Sequence, residues 1–96
     1  MVKVRIGITG GDFRECYYEC TLPSLPRVDD MVWLSKGLTH LEKIAIEKNI
    51  KFDDGKYGKR YENGKLKQIS FEDCVKVSEV IFEEDTDFVW LILKAL

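Results

Sequence analysis

Near-continuous apolar sequence runs from Phe88 to Leu96, interrupted only by Lys94. Apolar residues at consecutive positions leave no polar face, so a strand built from them has to be covered on both sides, as central strands are. The stretch 74–83 supplies a neighbour. Val75, Val77, Val80 and Ile81 are β-branched and favour a strand over the rival reading, a helix across 71–82 capped by Ser70. The acidic turn Glu84, Asp85, Thr86 and Asp87 joins the two.

The N-terminal stretch alternates. Val2, Val4, Ile6 and Ile8 share one face, with Lys3, Arg5, Gly7 and Thr9 on the other, the pattern of a half-buried strand. Gly10, Gly11 and Asp12 make the following turn. A second strand is expected over 13–22, with Arg14, Cys16, Tyr18, Cys20 and Leu22 on one face and Glu15, Tyr17, Glu19 and Thr21 on the other. Residues directly opposite in an antiparallel pair share a face. An odd-length loop or a bulge is therefore expected, setting Val4 against Tyr18 or Cys16 and turning Lys3 and Arg5 toward the glutamate and tyrosine side.

Pro23 and Pro26 end that strand, because proline lacks the ladder N–H. A short strand with Val32 and Leu34 inward should follow. Thr39 and Glu42 have the spacing of a capping box, and Leu38, Leu41, Ile44, Ala45 and Lys48 keep helical spacing up to a stop at Asn49. Asn63 and Gly64 then predict a hairpin between 57–62 and 65–70. With so little apolar surface, it is expected to project or to be mobile.

Ninety-six residues with 45% apolar content suit a single domain, 1–96, with a self-sufficient core. No stretch of about 18 apolar residues exists and the N-terminus has no signal-type apolar core, so no membrane partner and a cytoplasmic location are expected. Three cysteines are too few for a disulfide scaffold, which points the same way. The net charge of −2 is unevenly spread: −1 over 1–47, +4 over 48–67 and −5 over 68–96.

The stretch from Pro26 to Leu34, followed by 77–82 and 88–93, resembles small, strongly bent β-barrels of the Src-homology type. Such barrels carry a Pro-x-x-Gly-Asp-x-Val segment before a strand, and Asp29 stands here at the glycine position. The resemblance covers about half of the chain and leaves out the helix and hairpin at 38–68. It implies architecture only; no functional residue is carried over.

Catalytic and metal chemistry find little support. Cys16 and Cys20, four apart on one strand face, would lie about 13 Å from each other. A zinc ion binds thiolates at about 2.3 Å, so the two cannot share one. Cys16, Cys20 and Cys74 read as small core hydrophobes. His40, the only histidine, falls at an exposed helix start, with Glu42 and Asp30 nearby in sequence but nothing to fix them around it. Glu72, Asp73 and the acids at 83–87 lack the glycine of a calcium loop and read as a solvated, pairing-blocking surface. No metal, no cofactor and no catalytic residue is expected.

Two surfaces remain. The basic segment 48–67 interleaves Lys56, Lys59, Arg60, Lys65 and Lys67 with Tyr57 and Tyr61, the vocabulary of single-stranded nucleic-acid contact. Trp33, Ile46 and Leu96 are candidate interface residues. The reading is an α+β domain: a strongly twisted antiparallel sheet or partly open small barrel, with one inserted helix and a polar hairpin. It is expected to be a non-catalytic interaction or assembly module that binds a protein partner or itself as a homodimer. A nucleic-acid accessory role ranks second, since the chain is acidic overall.

Overall fold

A computed structural model of the chain describes residues 1–50, 60–62, 65–68, 71 and 73–96. Its strands are β1 (Val2–Ile8), β2 (Tyr18–Leu22), β3 (Arg60–Glu62), β4 (Lys65–Gln68), β5 (Cys74–Phe82) and β6 (Val89–Ala95), with one helix, α1 (Gly37–Glu47). Four strands form one sheet in the order β2-β1-β6-β5, and β3 and β4 pair with each other. The domain is α+β, with an open sheet that does not close into a barrel.

As its composition requires, β6 lies at the centre. Leu91 and Leu93 are buried on the face shared with Ile6 and Ile8, and Trp90 and Ile92 on the opposite face. Two of the three ladders in this sheet, β1–β2 and β5–β6, are antiparallel as expected. The middle one is parallel, pairing Val4 with Val89 and Ile8 with Leu93, so the sheet is mixed. Alternation fixes which face a strand buries and is silent on which strand lies beside it.

The second strand is shorter than 13–22 and starts at Tyr18. Asp12 accounts for the difference. Its carboxylate accepts the Arg14 N–H at 3.1 Å, and its carbonyl accepts those of Glu15 and Cys16 at 3.2 and 3.0 Å. A local polar acceptor thus winds 12–16 into a turn that competes with the ladder. Val4 consequently faces Cys20, further along than Tyr18 or Cys16. The odd parity survives, so Tyr18, Cys20 and Leu22 do share the face of Val2, Val4 and Ile6. Cys16 belongs to the turn and not to a strand, so the 13 Å strand spacing does not apply to it.

The helix begins two residues before Thr39, with Lys36 at the N-cap and no side-chain cap. The expected capping box does not form. The Glu42 carboxylate instead accepts the buried Phe71 N–H at 2.8 Å. A charged acceptor for a buried donor is worth about 1.5–3 kcal/mol, against about 1 kcal/mol for a cap, so the tertiary partner wins. Gly37 allows the early start: a Cβ there would come within 2.7 Å of the Tyr18 ring. Leu41 and Ala45 bury the helix against the sheet, and Asn49 ends it at φ +52°. Eleven residues would be marginal alone, so this burial holds the helix in place.

The pairing of Glu62 with Lys65 sets the β3–β4 register around Asn63 and Gly64. That turn, and the hairpin ends expected at 57–59 and 69–70, lie outside the described residues.

Candidate functional site

Beyond Pro23 the chain crosses from β2 to the outer edge of β5. The Asp30 carboxylate accepts the Arg27 N–H at 2.8 Å, and Asp29 takes φ +74°, the conformation a glycine would supply most cheaply. The stretch 29–32 then straps onto β5. Asp29 N–H donates to the Val77 carbonyl at 2.8 Å, Val77 N–H to Asp30 at 2.9 Å, and Val32 N–H to Val75 at 2.7 Å. Extended backbone alternates its side chains. Val32 is buried, as expected from the sequence, so Met31 and Trp33 turn outward. Leu34 is half-buried against the core.

This crossing leaves a groove of about 480 Å³, lined by apolar side chains that include Leu22, Leu25, Met31 and Trp33 and by the polar residues Ser24 and Asp30. The Trp33 side chain is 72% exposed, while Trp90 is 3% exposed. Of the three candidate interface residues, Trp33 lines the groove, and Ile46 and Leu96 are exposed but do not line it.

A smaller hollow of about 260 Å³ is lined by Glu15, Tyr17, His40, Ile44 and Lys48. Lys48 Nζ donates to the Glu15 carbonyl at 2.9 Å and lies 3.6 Å from its carboxylate. His40 is exposed and meets the Tyr18 ring edge-on at 5.5 Å between centroids. Its sequence neighbours Glu42 and Asp30 are engaged with Phe71 and Arg27. The structure does not bring these three groups together.

On the sheet face opposite the helix, Arg5 and Trp90 organise a layer of rings and charges. The Arg5 guanidinium lies 3.9 Å from the Phe88 ring centroid and 4.8 Å from that of Tyr17, with Nε 2.8 Å from Glu19 Oε2. That hydrogen bond raises the Arg5 pKa and lowers that of Glu19. The rings of Phe13, Tyr17 and Phe88 meet Trp90 edge-on at 5.0–5.4 Å. Glu83 Oε1 accepts the Trp90 indole N–H at 2.5 Å and lies 2.8 Å from Arg14 Nη1. Alternation placed Lys3 and Arg5 beside Glu19; no local pattern pointed to Glu83 as the partner of Trp90. The layer is internally paired.

Cys16 and Cys74 are buried, Cys20 is half-buried, and all three thiols are free. Cys16 Sγ donates to the Leu41 carbonyl at 3.4 Å. Burial pushes Cys16 and Cys74 from an ordinary pKa of 9.0 up to about 11. A folded pKa above the unfolded one leaves stability intact below about pH 9 and erodes it as pH rises through about 11. Each thiol is expected to contribute about 2–3 kcal/mol to that loss. Denaturant titration at pH 8 and pH 11, compared with Cys16→Ala, checks this; equal alkaline losses in parent and variant would refute it. At neutral pH a thiol reagent should modify Cys20 first and reach the other two only on unfolding.

Among the described residues no three His, Cys, Asp or Glu side chains group as a metal site, and no helix is long and apolar enough to cross a membrane. Of the basic and aromatic candidates, Arg60 and Tyr61 lie in β3, and Lys65 and Lys67 in β4. Lys56, Tyr57 and Lys59 lie outside the described residues. No family model, curated protein or solved structure matches the chain. Among the described residues, the groove beside Trp33 leaves a tryptophan uncovered.

Proposed function

We propose that this domain is a non-catalytic interaction module of the cytosol, and that the groove beside Trp33 receives an apolar side chain from a protein partner or from a second copy of the chain. The exposure of Trp33 carries the reading. A tryptophan side chain buries about 200 Å² when covered. With 72% left exposed, a partner covering it would recover about 3–4 kcal/mol at about 25 cal/mol per Å². Tryptophan is also a residue type on which binding energy concentrates. Ile46 and Leu96 offer further apolar area outside the groove.

Trp33→Ala is the test, read by sedimentation over a wide concentration range and by partner capture with and without nuclease. Because the ring adds little to the core, the variant should keep its stability within about 0.5 kcal/mol. Self-association or capture should fall. A parent that sediments as a monomer and a capture profile unchanged by Trp33→Ala would together sink the reading.

The charge of +4 over 48–67 supports a second reading, binding of single-stranded nucleic acid. Affinity would then fall with salt at a log–log slope of about −0.7 per neutralised phosphate. Replacing Lys59 and Arg60 with glutamine, or Tyr57 and Tyr61 with alanine, would weaken it, and the stacking loss would be about 1–3 kcal/mol per base. Labelled oligonucleotides titrated at two salt concentrations are expected to show no binding.

A further inference from the structure

The two edges of the four-stranded sheet are unlike. The β2 edge is five residues long and stops at Pro23. The β5 edge is nine residues long and only partly covered. The strap 29–32 pairs with the outer side of Val75, Lys76 and Val77. Among the described residues, no backbone pairs with the outer side of 78–82. At the end of this stretch Phe82 is 68% exposed, and Ile81 is half-buried.

Charge selects what can pair there. Residues 78–87 hold five acids, Glu79, Glu83, Glu84, Asp85 and Asp87, and no lysine or arginine. Arg14 pairs with Glu83 and Lys3 with Asp87. Glu79, Glu84 and Asp85 have no ion-pair partner among the described residues. A second copy added here would bring one acidic strand and turn against another, and like charges across a ladder destabilise it. An extended segment carrying Lys or Arg at alternate positions meets the opposite situation. Its amides complete the free edge, its cations lie on the face of Glu79 beside the acidic turn, and its apolar positions, on the other face, cover Phe82.

We propose that residues 78–82 of β5 accept a basic, extended segment of a partner protein as an added strand. This surface is separate from the Trp33 groove, so either assignment can fail alone. The probe is a capped synthetic peptide of alternating valine and lysine. Its controls are the valine–glutamate counterpart and the lysine peptide N-methylated at alternate amides. Anisotropy titration should give saturable binding of the basic peptide, at least about tenfold tighter than the acidic one, and N-methylation should abolish it.

Bound peptide should slow amide exchange at 78–82 and leave 23–33 unchanged. Glu79→Lys with Glu84→Lys should weaken binding at least about tenfold at unchanged melting temperature. Absence of saturable binding overturns the assignment. So does equal binding of the N-methylated peptide, which would mark simple charge attraction, or protection that maps to 23–33.

Discussion

Trp90→Ala is expected to destabilise the domain by about 3–5 kcal/mol, most of the margin that holds a chain of this size folded. The ring is 3% exposed and sits among the edges of Phe13, Tyr17 and Phe88, so truncation opens a cavity that three aromatic neighbours cannot collapse into. It also removes the indole N–H from Glu83, leaving that carboxylate only its ion pair with Arg14. Urea denaturation of parent and variant measures the loss. Melting within a few degrees of the parent would mean that the ring is not a core group. Trp33→Ala is the internal contrast, the same deletion at an exposed ring.

Gly7→Ala should produce the second large effect, about 3 kcal/mol, at the upper end of the range for forcing extra atoms into a filled site. A Cβ on Gly7 would overlap the Phe13 Cβ and stand 3.2 Å from the Phe13 Cα. Relief therefore requires the 12–16 turn itself to move, and with it the ring that covers Trp90. Because both substitutions disturb the Phe13–Trp90 contact, the Gly7→Ala, Trp90→Ala double variant should cost less than the sum of the two. Gly7→Ala should also cost less in a Phe13→Gly background than in the parent. Equal costs in both backgrounds would remove Phe13 from the explanation.

Phe13 marks where sequence reading stopped working. Its stretch alternates like a strand, and alternation reads β1 correctly, as β-branching reads β5 and unbroken apolar sequence reads β6, because their side chains answer to a sheet. At 12–16 they answer to the Asp12 acceptor, and the outcome depends on whether Phe13 finds a space, which Gly7 provides only across the fold. Glu42 fails in the same way: its spacing from Thr39 matches a cap, but the donor it meets is Phe71, far along the chain. The exposure of Trp33 was legible, since an inward Val32 forces its neighbour outward. That the neighbour borders a groove was not, because the groove exists only where the strap reaches β5.

The parallel ladder between β1 and β6 has a kinetic consequence. Val4 pairs with Val89, so β1 waits for a segment made 85 residues later before it gains its inner neighbour. A ribosome-tethered chain halted before Val89 holds β1, β2 and β5 but lacks the strand that joins β5 to the other two. Distant pairing incurs its loop-closure entropy before the contacts reward it, which slows the search. Refolding is expected in about milliseconds to seconds, slower than a helical bundle of equal length. During synthesis, Ile6 and Ile8 stay wetted on one flank until the strand bearing Leu91 and Leu93 emerges, a window in which a holding chaperone has something to grip.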